Sequence, residues 1–411
     1  MKIGLKEIKK EKNNIIRFLK KLVEIPTVVP PGKNYKLFVN TLEKDCWKLG
    51  LKTKKMLVPE KYEKVLPDEC KGNPRWILMA KWDNGAKKTL HYSGHYDVVP
   101  PTSGFTADPF KLRVIGNKLM ARGTSDMKCG IVAMLTAIKI AKKLKIKPAW
   151  NMELSFVPDE EIGGELGAGY ICSKGFVKAD SAIVGEGEGG LNYAIAHKGI
   201  LTCWITVYGK AAHAGAHQNG INAYLKAAKL AGEFEKLRMR IQKRRSKFPG
   251  KGMTLKPTLM TGGIAGGGQK TNTVPDKFEF TIDRRIIPEE KPSKVRKEII
   301  EVLKRFKKKD KTFKYSIKTK LALPSSTNRK AYICKLMDES IEDYFGKKAN
   351  PKMCAGRLDV ELFINRAKIP TIGYGVAKGK SYHGDDEFAD IRGIYDCIGV
   401  YLSVMKNLGS K

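Results

Sequence analysis

The sequence predicts an α/β protein whose mixed, mostly parallel sheet is flanked by helices and interrupted by a smaller inserted module. Three observations carry this expectation. Short apolar runs alternate with a helix-length apolar segment through the first half of the chain, the rhythm of strands covered by helices. From about Leu201 the rhythm becomes strand, helix, strand, strand, helix, strand over about 120 residues, the order of a split βαβ sandwich. A chain of 411 residues, 42% of them hydrophobic, has the apolar surface for more than one core, since domains commonly hold about 100–200 residues.

Taken in order, residues 5–24 place Ile8, Ile15, Ile16, Leu19, Leu22 and Val23 near helical spacing, and Ile25-Pro26 ends that helix. Strands are expected at 76–80, 89–93, 151–157 and 181–184, with a buried helix over 130–144. In open sheets of this kind, chemistry gathers beyond the carboxyl ends of the strands. In the insert, strands at 201–208, 256–261, 277–282 and 313–320 alternate with helices at 223–241 and 294–306.

Lys and Arg number 78 against 42 Asp and Glu, a formal net charge of +36. Fifteen Phe, 15 Tyr and 5 Trp exclude a disordered basic tail, which lacks the apolar surface to offset chain entropy. Lys outnumbers Arg, whereas base readout and bidentate phosphate gripping favour Arg. No RNP, KH, zinc-finger or helix-turn-helix pattern accompanies the charge. The excess therefore reads as a Lys-rich surface, with steering of anionic substrates as a benefit, and no nucleic-acid partner is expected. The eight cysteines (Cys46, Cys70, Cys129, Cys172, Cys203, Cys334, Cys354, Cys397) form no CxxC pair, which suits reduced thiols in the cytosol. There is no run of about 18 apolar residues and no signal-peptide pattern. A cytoplasmic protein without membrane contact is expected.

Only six histidines occur: His91, His95, His197, His213, His217 and His383. In LHYSGHYDVVP, His95 and Asp97 fall on one side of an extended backbone, an arrangement that suits a metal-ligating imidazole oriented by a carboxylate. Asp126 in ARGTSDMKCG precedes the buried helix. Asp159, Glu160 and Glu161 in LSFVPDEEIGG, and Glu186 in AIVGEGEGG, each follow a strand, and His383 lies in the acidic loop SYHGDDEFADI. Consecutive carboxylates repel one another unless cations offset them. Carboxylates and imidazoles at several strand ends, without cysteine, describe an open hydrolytic site rather than a structural zinc. His91 reads as an ordinary strand residue. The GGIAGGGQ stretch is followed by no GKS or GKT, so it is not a phosphate loop.

The segments SGHYDVVP, ARGTSDMKCG, PDEEIGG, VGEGEG, GKAAHAG with HQNGINA, GGGQKTNTVPDKFEFTIDRR and SYHGDDEF, together with LVEIPTVVPPG near the start, resemble in order and spacing those of the dinuclear zinc hydrolases. That family includes acetylornithine deacetylase, succinyl-diaminopimelate desuccinylase, aminoacylase and glutamate carboxypeptidase. The resemblance implies a zinc-exopeptidase-like catalytic domain over 1–198 and 322–411, with a ferredoxin-like (βαββαβ) lid and dimerisation domain over 199–321. It implies two divalent metal ions, zinc foremost with cobalt or manganese as alternatives. His95 and Glu186 would hold one ion, Glu161 and His383 the other, and Asp126 would bridge both. Asp97 would orient His95, Glu160 would be the general base, and the Asp126-Met127 peptide would be cis. His213 would reach across a homodimer to the partner's site and donate to the oxyanion. Asn272 and Arg285 match the family's Asn and substrate-carboxylate-gripping Arg, whereas His197 and His217 match the pattern but not a ligand position.

One segment departs from the family. Where many members read Gly-Gly-Thr-Asp-Ala-Arg, this chain reads Gly356-Arg357-Leu358-Asp359-Val360-Glu361. Glu361 replaces an Arg, and Arg357 appears four positions earlier, so both are candidate substrate-binding residues, with Glu361 expected to meet a positive group on the substrate. The leading expectation is an amidohydrolase that removes an acyl group from an N-acyl amino acid. A metallo-exopeptidase or dipeptidase of the same family is the alternative, and a nucleic-acid-binding or scaffold protein that kept the fold is a third.

Overall fold

The carboxyl ends of four parallel strands define the edge at which the chemistry collects. In the computed structural model, which describes residues 4–354, 356–376, 379–380 and 382–409, strands Asn151–Val157, Thr89–His95, Ser181–Val184 and Thr371–Gly373 lie side by side and parallel. They belong to the larger of two compact units, Met1–Ile195 with Ser326–Lys411; the other is Ala196–Ser325. On one flank the sheet continues through Trp76–Trp82 and Lys52–Leu57, on the other through Asn192–His197, all antiparallel. The parallel character expected from sequence thus holds at the centre and gives way at the margins.

The central strands are buried along their length, Thr89–His95 almost completely, which is why they read as apolar runs rather than alternating ones. Their few polar groups are satisfied internally. The His91 ring lies 2.8 Å from both Glu153 Oε2 and Ser155 Oγ, and Ser155 Oγ donates to Ser93 Oγ at 2.9 Å, an ordinary strand role. Helix Cys129–Lys143 is buried on nearly every face, and Ile391–Asn407 packs beside it. The eight cysteines are buried and form no disulfide among the described residues. Among the described residues, no helix is long and apolar enough to cross a membrane.

Several elements differ from the sequence expectation. The single helix over 5–24 is two, Leu5–Lys10 and Lys12–Val23, parted at Glu11, whose carboxylate is taken by Lys139 and Asn14. Helices Tyr35–Lys48 and Tyr332–Phe345, and a small sheet containing Arg113–Ile115, Lys118–Met120 and Phe388–Asp390, were not foreseen. Strands of three residues are too short for a period to register.

In the smaller unit the antiparallel sheet runs Thr258–Gly267, Lys277–Ile286, Gly199–Tyr208, Lys314–Ala322. Helices Ala223–Ile241 and Pro292–Lys309 bury Leu230, Phe234, Ile299 and Leu303 in one core with Ile205 and Ile282. This is the βαββαβ order. The strand expected at 256–261 runs on to Gly267, its glycine-rich half hidden from any apolar pattern.

A buried ion pair anchors the turn after strand Asn151–Val157. Arg75 Nε donates to Asp159 Oδ2 at 2.8 Å, Tyr35 Oη donates to Oδ1 at 3.1 Å, and both charged side chains are 1% exposed. Removing one partner strands a buried charge. Asp159→Ala is therefore expected to lower unfolding free energy by about 3–5 kcal/mol in urea titrations. A loss below about 1 kcal/mol, the level of a surface pair, would contradict the anchoring role.

Candidate metal centre

Four of the candidate ligands sit at or beside the end of an element that holds the backbone. His95 is the last residue of Thr89–His95. Glu160 and Glu161 open the short turn Glu160–Ile162 behind Asn151–Val157. Glu186 lies two residues after Ser181–Val184. Asp126 lies in Thr124–Lys128 ahead of helix Cys129–Lys143, and its peptide to Met127 is cis.

The side chains converge in two groups, His95 with Asp126 and Glu186, and Asp126 with Glu161 and His383; within each, one ligand atom per residue lies within 4.8 Å of the others. Asp126 divides its oxygens between them. Its Oδ1 is 3.0 Å from His95 Nε2, which also approaches Glu186 Oε2 at 3.4 Å. Its Oδ2 is 3.4 Å from His383 Nε2, which approaches Glu161 Oε2 at 3.0 Å. The second oxygens of Glu161 and Glu186 are buried without a hydrogen-bond partner among the described residues. Unpartnered carboxylate oxygens in such a cluster are what a cation would satisfy, and the donor set of imidazole and carboxylate suits a borderline divalent ion.

The electrostatics of the cluster agree. Burial pushes Glu160 well above the usual carboxylate range, with Glu186 and Asp359 adding to it. Burial also pushes Glu161 up to about 7, against its hydrogen bond with His383. Asp126 and Glu161 raise His383 to about 10. For His95, burial disfavours the charged ring, yet the carboxylates of Asp126, Asp97 and Glu186 outweigh it and hold the pKa well above that of an ordinary imidazole. Carboxylates packed this closely demand positive charge from protons or metal ions.

Asp97 does more than orient His95. His95 Nδ1 lies 3.1 Å from the Asp97 carbonyl and 3.4 Å from its carboxylate, while that carboxylate accepts from Glu160 N at 3.2 Å and Glu161 N at 3.0 Å. One residue therefore sets the first histidine and the glutamate turn together. Arg357 is 3.5 Å from Glu160 Oε1 and donates to Gly163 O at 2.9 Å and to Glu361 Oε1 at 3.1 Å. Glu361 also accepts from Asn365 at 3.2 Å and is 5% exposed. The Glu361 carboxylate expected to meet a positive group on the substrate is thus paired with Arg357 and Asn365.

The remaining candidates lie in the smaller unit. Ala214 N donates to Asn272 O at 2.8 Å and His213 bridges Thr273, so the His213 and Asn272 segments adjoin. His213 is exposed, its Nδ1 accepting from Gly215 N. Arg285 pairs with Asp283 at 2.7 Å on strand Lys277–Ile286. His197 is buried against Ser325 and the Lys198 carbonyl, and His217 is exposed. Sequence reasoning assigned nothing to Asp359, buried with an unpartnered oxygen, or to Glu387, whose carboxylate grips the Asp126 segment. The only signal for Glu387 was its place at the end of SYHGDDE.

Residues 91–407 match the profile described as peptidase family M20/M25/M40. An uncharacterized metallohydrolase of Methanocaldococcus jannaschii is 28% identical over 354 residues, 82% of this chain and 85% of the relative. A succinyl-diaminopimelate desuccinylase of Wigglesworthia glossinidia brevipalpis is 26% identical over 335 residues, 79% of this chain and 85% of the relative. Among solved structures, a tripeptidase from Staphylococcus aureus superposes with a TM-score of 0.77 over 97% of this chain and 99% of its own, at 19% identity, a likeness of fold.

The crowded carboxylates predict that stripping divalent ions with a chelator lowers the melting temperature and that readdition restores it. At a free-ion concentration about 100 times Kd the gain is about 2.7 kcal/mol. A melting curve indifferent to chelation and readdition would count against cation binding here.

Proposed function

The chain belongs to the peptidase M20/M25/M40 family and is a metal-dependent hydrolase of amide bonds, and from that premise we propose that it removes an acyl group from an N-acyl amino acid. The carrying observation is the divided carboxylate of Asp126, one oxygen toward each of two ligand groups, with Glu160, its side chain 10% exposed, next to Glu161 in the chain. In this reading His95, Asp126 and Glu186 hold one divalent ion, and Asp126, Glu161 and His383 the other, with zinc the expected metal. When bound, such ions supply a water that ionises near neutral pH and Lewis-acid polarisation of the amide carbonyl.

Glu160 accepts the proton of the attacking water and returns it to the leaving nitrogen. A carboxylate suits the task because it can accept a proton in one step and donate it in the next. Asp97 holds the Glu160 amide, and Arg357 faces its carboxylate, fixing its direction of approach. His213, from a partner copy joined through the inserted unit, would donate to the developing oxyanion, with Asn272 and Arg285 contacting the substrate. A deacylase or desuccinylase of amino-acid biosynthesis in a cytoplasmic setting fits the eight buried cysteines without a disulfide among the described residues and the desuccinylase-named relative. An exopeptidase is the second reading, favoured by the tripeptidase of like fold; pocket shape alone separates the two.

The deciding experiment assays the metal-reconstituted protein against acetylornithine, succinyl-diaminopimelate, acetyl-amino acids and dipeptides, with Glu160→Ala as blank. Turnover confined to dipeptides would overturn the deacylase reading. Glu160→Gln is expected to keep both metals by elemental analysis yet lose about 10³-fold in kcat; a rate near wild type would remove Glu160 as the base. Glu361→Ala should leave the preference between amine-bearing and neutral N-acyl amino acids unchanged while lowering kcat, because it releases Arg357 beside Glu160. A lost preference for the amine in kcat/KM would instead restore Glu361 as a substrate contact.

A further inference from the structure

Three consecutive acids follow His383 and Gly384, and each holds a different segment of the larger unit. Asp385 accepts from Thr102 Oγ1. Asp386 Oδ1 accepts from Thr106 N at 3.2 Å, Thr106 Oγ1 at 3.0 Å and Arg113 Nη2 at 2.9 Å. Glu387 reaches deepest, its side chain 1% exposed. Its Oε2 accepts from Arg122 Nη1 at 2.8 Å and Gly123 N at 2.9 Å, and its Oε1 from Ser125 N at 2.7 Å and Asp126 N at 3.0 Å.

Local structure explains the reach. Strand Phe388–Asp390 pairs antiparallel with Lys118–Met120, and Ala121 N donates to Glu387 O at 3.1 Å. The backbone of residue 387 is thereby laid beside the segment leading to Asp126. The four donors come as two pairs, one at each oxygen, and Arg122, itself 1% exposed, neutralises the charge they surround. A carboxylate is an acceptor at every position, so no neutral side chain of the same size satisfies both pairs.

We infer that Glu387 is the positioning residue of the paired metal site: one buried carboxylate sets the segment carrying Asp126 against the loop carrying His383. The inference rests on reading the cluster as a two-metal centre. It has a specific consequence. Asp126 turns a different oxygen toward each ligand group, so a displacement of its backbone disturbs both metal positions at once. Loss of Glu161 or Glu186, which each belong to one group, should disturb one.

The test is calorimetric titration of chelator-treated full-length protein with ZnCl₂, alongside circular-dichroism melts of the same samples. Wild type should take up two equivalents; uptake of fewer would overturn the two-metal reading itself. Glu387→Gln keeps the volume but turns an amide NH₂ toward one donor pair. It is expected to weaken both equivalents by about 10–100-fold, the usual cost of losing a group that orients ligands, with the metal-free melt retained. Glu161→Gln should weaken one equivalent. Wild-type affinity at both positions in Glu387→Gln, or weakening of only one, would overturn the positioning role. So would affinity loss that merely follows the unfolded fraction. Should Glu387→Gln not fold, Glu387→Asp, which keeps the charge beside Arg122 but is too short to span both donor pairs, is judged by the same criteria.

Discussion

Everything at the carboxyl edge of the sheet depends on one shared carboxylate. Asp126 turns one oxygen toward His95 and Glu186 and the other toward Glu161 and His383, so its orientation fixes the spacing of two ligand groups. Buried carboxylates this close are costly unless positive charge is built in or bound. The second oxygens of Glu161 and Glu186 have no hydrogen-bond partner among the described residues, so a cation bound here would offset their cost.

Around this centre, four acids outside the two candidate ligand groups face arginines. Arg75 faces Asp159, Arg122 faces Glu387, and Arg357 faces both Glu160 and Glu361. Each of these arginines also ties down a turn: Arg75 through the carbonyl of Cys70, Arg122 through that of Gly384, and Arg357 through that of Gly163. Guanidinium suits the work because its charge is permanent and its donors diverge in a plane. The ligands are thereby held by neighbours that cannot themselves compete for a metal.

The surface charge has a different distribution. Residues 196–325 carry 30 Lys and Arg against 10 Asp and Glu, whereas the rest of the chain carries 48 against 32. The inserted unit, under a third of the length, thus bears more than half of the net +36. Much of it lies on the outward sides of helices Ala223–Ile241 and Pro292–Lys309, whose inward sides form the core. A positive field of that size attracts anions at low ionic strength.

The sequence by itself determined the central strands, the buried helix, the βαββαβ insert and the ligand types at the strand ends. These are local properties: burial over seven residues leaves an apolar run, and a strand end followed by His, Asp or Glu is legible within a single segment. Only the tertiary structure decided how the carboxylates are shared. That Glu361 is spent on Arg357 and Asn365, that Asp97 serves the Glu160–Glu161 turn as well as His95, and that Glu387 grips amides 261 and 262 residues earlier in the chain follow from which strands pair and how loops close over them. A carboxylate's partners are chosen by distance in space, which a linear pattern does not encode. The three-residue strand Phe388–Asp390, too short to betray itself by periodicity, brings Glu387 to Asp126.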